Sequence, residues 1–311
     1  MAIVTPDFLA AMFTNYDTIF EDSFFAADAA INYDRYAYVL NSTTDTEVHS
    51  FLDVVPKMVE WTDERQIQSQ GAYSFSLKNR RWEVTISVDR PTIADDRYQL
   101  IRPRIAQLGR EGARFPAELA ASVLAGGASN VCYDGSNFFD TTHVQGVTPP
   151  QSNKLTGTGV TLTAFRADMI AARTAMNKFL DGAGRFMSLN GDLLVIGPTM
   201  RDVAEQLINT NIIALTTGTQ MSNVLKGAFD IMVDPWIEYY NPSGHSNDWY
   251  LLNTSEPVKP LNFQWREPPE FTALDNPQEY QVFMKDEYYY GVRSRFNCGP
   301  AMWFLAVQNV N

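Results

Sequence analysis

Residues 71–90 alternate apolar and polar side chains on both sides of a short basic stretch. The apolar positions are Tyr73, Phe75 and Leu77 before this stretch, and Val84, Ile86 and Val88 after it. A period of two residues is typical of a β-strand with one buried face. Because the basic stretch contains Lys78, Asn79, Arg80 and Arg81, the pattern predicts a long β-hairpin with a basic tip.

An isolated two-stranded hairpin is only marginally stable in water. The apolar face of the predicted hairpin must therefore cover its own domain or a neighbouring subunit. The basic tip stands out in an acidic chain, so we expect the hairpin to be an intersubunit element, with Arg80 and Arg81 facing carboxylates. The residues predicted to contact a neighbouring subunit are Lys78, Arg80, Arg81 and Trp82.

The charge balance of the chain excludes one large class of function. The 311 residues include 36 acidic and 24 basic side chains, for a formal net charge of -12. Such a surface repels phosphate backbones, so a dedicated nucleic-acid-binding protein is disfavoured. The two cysteines, Cys132 and Cys298, lie far apart, which predicts a reducing compartment and no disulfide framework. Without a visible signal peptide or an apolar run long enough to cross a bilayer, we expect a soluble intracellular protein.

The N-terminal part of the chain predicts one helix followed by an arm. Thr5 and Pro6 are typical of a helix start, and apolar side chains then recur at helical spacing as far as Phe20. Residues 22–47 are polar and aromatic without clear periodicity. This segment is interpreted either as an extended arm that a partner surface orders, or as a segment that packs on its own domain.

The remaining sequence combines helices and strands. Helices are predicted from Asp95 and Asp96 through Leu108, from Phe115 to Gly127, and over residues 163–181 and 199–208. Strands are predicted over residues 193–196, 229–240, 249–254, 261–265, 280–284, 288–295 and 301–307. Helices in the middle of the chain with strands around them predict an α+β fold.

One short string contains groups that could carry chemistry. Cys132, Asp134, Asp140 and His143 lie within twelve residues and offer a thiol, two carboxylates and an imidazole, which can bind zinc or iron. Their spacing matches no metal motif, and Asp134 followed by Gly135 is a turn signal. A buried, inert Cys132 is favoured over a nucleophile paired with His143. We therefore predict no catalytic, cofactor-binding or metal site, with a cysteine–histidine hydrolase as an alternative.

Several strings along the chain coincide with those of one known family. They are Ile3-Val4-Thr5-Pro6, residues 51–61, Leu77-Lys78-Asn79-Arg80, Asp95-Asp96, and Cys132-Tyr133-Asp134-Gly135 with Phe138-Phe139-Asp140 and His143. In this order they resemble the major head subunits of Mu-like tailed phages. The first half of the chain is covered densely, whereas the second half is similar only in the order of its elements. The resemblance implies the Hong Kong 97-type capsid fold.

This resemblance also implies a division of the chain. It places an N-terminal arm over residues 1–62, an extended loop with the β-hairpin over 63–94, a peripheral domain with the spine helix over 95–159 and 285–311, and an axial domain over 160–284. The arm would begin almost at Met1. We therefore expect a separate scaffold protein and no removed scaffold segment.

The function that the resemblance implies is that of a major capsid protein. It would assemble with itself into hexamers and pentamers of an icosahedral phage head that encloses double-stranded DNA without sequence-specific binding. We expect a portal as a further partner, leave a decoration protein open, and expect assembly in the host bacterial cytoplasm without cofactor, membrane or covalent links between subunits. An encapsulin-type shell protein of the same fold is the alternative.

Overall fold

The computed structural model describes residues 6–28, 32–52, 72–89, 91, 98–146, 148–216, 219–274, 276 and 280–311. Helices α1 to α6 span Pro6–Asp28, Tyr98–Ala125, Leu162–Asn177, Arg201–Asn209, Pro235–Tyr240 and Tyr280–Lys285. Strands β1 to β7 span Ala37–Asn41, Thr46–Leu52, Ala72–Lys78, Arg80–Asp89, Lys154–Thr156, Leu193–Ile196 and Ile212–Thr216. Strands β8 to β13 span Thr219–Ser222, Asp230–Val233, Trp249–Leu252, Leu261–Leu274, Glu287–Pro300 and Ala306–Val310. The predicted α+β fold is confirmed.

Two larger sheets organise these elements. One has four strands in the order β1-β11-β12-β4, and the other has five strands in the order β5-β13-β10-β6-β9. Strands β6 and β10 of the five-stranded sheet are buried along their whole length, which is typical of strands covered on both faces. Strand β12 of the four-stranded sheet buries Tyr288, Tyr290 and Val292 on one face and exposes Arg293 on the other.

The apolar face of the four-stranded sheet is covered by α1 and α2. The buried side chains of this cluster are Met12, Tyr16, Phe20, Val88, Ile101, Ile105, Leu108, Val282, Tyr288, Tyr290 and Val292. Residues 22–47 include the end of α1, the strand β1, which pairs parallel to β11, and the beginning of β2. In the described residues this segment therefore packs on its own subunit, which is the second of the two interpretations. None of the described helices is long and apolar enough to cross a membrane.

Helix α2 is one helix of 28 residues, so the prediction of two separate helices is wrong. Pro103 and Pro116 lie inside it, where each proline removes a backbone hydrogen bond. Ile105 and Ala120, one near each proline, are completely buried, and this packing along the whole helix outweighs the lost bonds. The predicted cap residues Asp95 and Asp96 lie outside the described residues.

Two predicted strands contain helices. Residues 229–240 form β9 and then α5, because Asp234 accepts a hydrogen bond from Trp236 N–H at 2.9 Å and Pro235 occupies the first turn. Residues 280–284 lie in α6, which joins β11 to β12. Val282 of α6 is buried while Phe283 is 79% exposed, and this change between adjacent residues fits a helix that rests on the sheet with one face.

Residues 72–89 contain the two predicted strands, β3 and β4, but these strands do not form a hairpin with each other. Strand β3 pairs antiparallel with β2, and β4 pairs antiparallel with β12. Asn79 between them is only 4% exposed, whereas the basic residues around it are exposed, so the predicted tip is a corner where the chain passes between sheets. The alternation correctly shows which faces are buried, but a period of two residues carries no information about the neighbouring strand.

Candidate assembly surface

The corner between β3 and β4 is fixed by the side chain of Asn79. The backbone N–H of Asn79 donates to the Asp45 carbonyl at 2.9 Å. The side-chain amide of Asn79 donates to Ser42 Oγ at 2.7 Å and to the Thr44 carbonyl at 2.9 Å. A buried donor without a partner costs about 1–3 kcal/mol, so these bonds favour one backbone path. Asn79 therefore holds both the corner and the turn that leads into β2.

A second buried amide ties this corner to the four-stranded sheet. Gln264 of β11 is fully buried, and its side-chain amide donates to the Leu77 carbonyl at 2.8 Å and to Asn79 Oδ1 at 3.0 Å. Its Oε1 lies 3.0 Å from His49 Nε2. Because an amide oxygen only accepts, that ring nitrogen carries a proton in this bond. Gln264 thus contacts both β2 and β3.

The antiparallel pair β2 and β3, here called the β2–β3 hairpin, also rests on β12. Asn297 of β12 donates from its side-chain amide to the Lys78 carbonyl at 2.7 Å. Gly299 leaves room for two apolar side chains, since a Cβ there would lie 2.9 Å from Leu77 Cδ1 and 3.2 Å from Phe75 Cε1. The root of the hairpin is therefore held by both polar and apolar contacts within its own subunit.

The turn that leads into β2 is closed by Glu47. Its Oε1 accepts hydrogen bonds from the N–H groups of Thr44 at 3.0 Å and Thr43 at 2.7 Å, and from the Ser42 hydroxyl at 2.9 Å. These bonds lower the pKa of Glu47 to about 2. Because the folded pKa lies below the unfolded value of about 4.3, the stabilisation is complete above that value and is lost as the pH falls through about 2.

The three basic residues predicted to contact a neighbour are exposed at this corner. Lys78 Nζ lies 3.7 Å from an Asp45 carboxylate oxygen of the same subunit. Arg80 and Arg81 begin β4, and Arg81 lies opposite Arg295 in the register. Among the ion pairs that the described residues form, none includes Arg80 or Arg81. Their pairing with carboxylates of a neighbouring subunit stays a prediction.

Trp82, the fourth predicted contact, packs against its own subunit. Its Nε1–H donates to the Phe296 carbonyl at 3.0 Å, and its ring centroid lies 4.8 Å from that of Phe115 on α2. The side chain is half-buried at the edge of a groove. A contact of Trp82 with a neighbouring subunit also stays a prediction.

Cys132 and His143 are both buried but are not bonded to each other. The Cys132 thiol donates to the Ala301 carbonyl at 3.4 Å, and burial raises the pKa of this thiol to about 12. His143 Nδ1 instead lies 2.6 Å from Asp134 Oδ2, and its ring stacks on Trp303 with centroids 4.3 Å apart. Nucleophilic catalysis needs an accessible thiolate with a base within reach, and this arrangement offers neither.

Asp140 binds its own backbone. Its Oδ1 accepts hydrogen bonds from the N–H groups of Thr141 at 2.6 Å and Thr142 at 3.1 Å, and from the Thr142 hydroxyl at 2.9 Å. Across the part of the chain that the structure describes, no group of three or more His, Cys, Asp or Glu side chains is arranged to hold a metal ion. Residues 132–143 form a loop in this structure.

The buried amides of Asn79, Gln264 and Asn297 were not predicted from the sequence. Each belongs to or borders a strand whose inward-facing neighbours are apolar, and Gln264 stands between Phe263 and Trp265. For Gln264 and Asn297, a polar residue between apolar neighbours was the available signal, because such a residue must find hydrogen-bond partners when buried. Asn79 stands among basic residues and gave no such signal. The partners themselves lie too far away in the sequence to be identified from it.

Comparisons with known proteins agree with this fold. The model of the family described as Mu-like prophage major head subunit gpT matches residues 9–166, 158–237 and 240–311. The Mu-like prophage FluMu major head subunit of Haemophilus influenzae is 26% identical over 306 residues, which are 98% of this chain and 74% of that protein. The major capsid protein of Escherichia phage Mu is 27% identical over 305 residues, with the same coverage.

Solved phage capsids have the same architecture. A chain of the bacteriophage JBD30 procapsid is 28% identical with a TM-score of 0.58, and the match covers 99% of this chain and 76% of that chain. A capsid chain of cyanophage P-SCSP1u has a TM-score of 0.59 at 11% identity, covering 90% and 88%, and shows the fold alone. The Hong Kong 97-type capsid fold is thereby confirmed. Because the family model also matches almost the whole length, this chain belongs to the family of Mu-like phage major head subunits.

Proposed function

We propose that this chain builds an icosahedral phage head by assembling with itself into hexamers and pentamers. The observation that carries the proposal is the β2–β3 hairpin, for which the described residues supply no third strand. A two-stranded sheet is marginal in water, yet the root of this one is held by three buried amides, Asn79, Gln264 and Asn297. A neighbouring subunit would supply the surface that the rest of the hairpin needs.

The two larger sheets suggest how the subunit divides in this proposal. The four-stranded sheet with α1 and α2 would form the peripheral part, and the five-stranded sheet would form the axial part. This division differs from the one that the resemblance implies. Strand β11 lies within residues 160–284 but pairs with β12, and β13 lies within 285–311 but pairs with β10. The β2–β3 hairpin would be the extended loop, beginning at Thr46.

The proposed assembly involves no catalytic step. It does involve further partners. The head would enclose double-stranded DNA without sequence-specific contacts, as the net charge of -12 favours. A separate scaffold protein and a portal would take part in assembly in the host bacterial cytoplasm. A JBD30 capsid of the same fold is decorated with minor capsid protein trimers, so a decoration protein is a candidate partner.

Electron microscopy of the purified chain, alone and after co-expression with a scaffold protein, tests the proposal. We expect closed icosahedral shells in at least one condition, and soluble monomers in both would contradict it. Shells boiled in detergent without reductant should give one band near 35.0 kDa on a denaturing gel, because Cys132 and Cys298 are both buried and free. A ladder of multimers would contradict only the expected absence of covalent links.

Reversing Arg80 and Arg81 to Glu should slow shell assembly, most strongly at low salt. An exposed ion pair contributes only about 0–1 kcal/mol, but a closed shell repeats each contact many times. Salt weakens the effect because charges are screened over about 10 Å at 0.1 M. Light scattering at two salt concentrations measures the assembly rate. As a control, Arg166 and Arg173 on α3 are changed to Glu. If this control slowed assembly as much as the Arg80 and Arg81 variant, the effect would come from the net charge and not from a contact of Arg80 and Arg81.

A further inference from the structure

A groove runs between α2 and the outer edge of β4. One part has an apolar lining that includes Trp82, Val84, Phe115 and Val292. The adjoining part is open to solvent and shares Val84 and Glu111 with the first. Its lining includes Ile86 and Leu108 together with Arg104, Arg110 and Arg114. The groove thus combines an apolar floor with a basic wall formed by α2.

Strand β4 forms the other side of this groove and has a strand partner on one side only. Its ten residues pair with β12, and within the described residues no further strand follows β4 in the sheet. The free edge therefore presents backbone N–H and C=O groups that another chain can pair with. Natural proteins usually cover, twist or shorten an edge of this kind, because it otherwise invites uncontrolled association.

The basic wall contrasts with the charge of the whole chain. Arg104, Arg110 and Arg114 are exposed, and none of them belongs to an ion pair within the described ranges. Two carboxylates also line the groove, Glu111 beside these arginines and Glu83 in the apolar part. The chain carries a net charge of -12, so a second copy has an excess of carboxylates that could pair with this wall.

We propose that an extended, acidic segment of a second copy of this chain occupies the groove and adds to β4 as a further strand. Its carboxylates pair with Arg104, Arg110 and Arg114, and its apolar side chains cover the floor. Backbone hydrogen bonds supply affinity in strand addition, and side-chain pockets supply specificity. DNA fits this groove less well, because a phosphate backbone would use the arginines but neither the apolar floor nor the strand edge.

This inference rests on the proposed function, and hydrogen exchange separates the two. Backbone amides of residues 82–88 that point away from β12 should exchange freely in the free subunit. In shells that contain only this chain, we expect the same amides to exchange at least about tenfold more slowly. If shells form and the exchange of β4 is unchanged, the inference is wrong and the proposed function stands. If no shells form, both fail. Slowing that requires a different protein would also overturn the inference, because the occupant would not be a second copy.

Charge variants of the basic wall provide an independent test. Changing Arg104, Arg110 and Arg114 together to Glu should lower the initial assembly rate about tenfold or more at low salt. Changing the same residues to Lys keeps the charge and should leave the rate close to that of the unmodified chain. The melting temperature of each free subunit identifies a variant that misfolds. A Glu variant that folds and assembles at the unmodified rate, or a Lys variant that is equally slow, contradicts the proposed charge contact.

Discussion

A subunit in which Asn-Gly replaces residues 53–71 should fold normally and form no closed shells. Leu52 and Ala72 are opposite each other in the register of β2 and β3, so a two-residue turn closes the shortened hairpin without shifting any pair. The bonds of Asn79 and Gln264 lie at the other end of the hairpin and remain. The removed segment contains the apolar residues Val54, Val55, Met58, Val59 and Trp61.

The expected loss is large because these side chains need an apolar surface. A well-buried aromatic or aliphatic anchor at an interface typically contributes about 2 kcal/mol or more, and every copy in the shell would lose it. Microscopy measures shell yield, and thermal melting of the free subunits shows whether both chains fold equally well. A milder variant, Val48→Asp, keeps the whole hairpin and changes a side chain that is 60% exposed in the subunit. Normal shells from the shortened chain would show that residues 53–71 are not needed for assembly.

Gly109→Ala should lower the stability of the free subunit by about 1–3 kcal/mol, whereas Gly112→Ala should leave it unchanged or raise it. A Cβ at Gly109 would lie 2.6 Å from the Phe20 carbonyl oxygen and 3.2 Å from Phe24 N. Both are backbone atoms of α1, so α1 and α2 would have to separate. At Gly112 the nearest atom would be Val292 Cγ1 at 3.6 Å, which is ordinary contact.

The two glycines form a matched pair because both lie inside α2 and face α1. Alanine is more favourable than glycine in a helix by about 1 kcal/mol, and this gain applies equally to both positions. Only the contact with α1 differs between them. Urea unfolding of the free subunits measures the two changes. Equal changes would mean that the close approach of α1 and α2 at Gly109 does not control the stability of the subunit.

The alternation in residues 71–90 predicted both strands but not their neighbours. A buried face follows from side-chain polarity, which is local in the sequence, whereas strand pairing depends on residues far along the chain. Strand β4 pairs with β12, where Arg81 lies opposite Arg295. The string around Asn79 was interpreted as a solvated turn because three of its residues are basic, and these three are indeed exposed. Only the burial of Asn79 identifies it as a corner between two sheets.

Residues 229–240 contain a local signal for a helix start, although the whole segment was predicted as a strand. Asp234 and Pro235 form a cap and a first helical position, and they outweigh the β-propensity of the aromatic residues that follow. In α2 a local signal was misleading. Pro116 was interpreted as the start of a second helix, but it lies inside one continuous helix. Packing of the helix on the sheet decided that case, and packing is not visible in a single sequence. The order of these local signals predicted the α+β class, and the resemblance to the head subunits supplied the capsid fold within it.

The buried amides at the root of the hairpin also determine when the hairpin becomes oriented during synthesis. Gln264 follows Asn79 by 185 residues, and Asn297 follows Lys78 by 219 residues. A ribosome adds about 5–20 residues each second, so on the order of 10–40 s pass between the synthesis of β3 and that of its last anchor. A nascent chain therefore lacks the two bonds that orient the hairpin on its own sheet until translation is nearly complete. We expect unfinished chains to join a growing shell poorly for this reason.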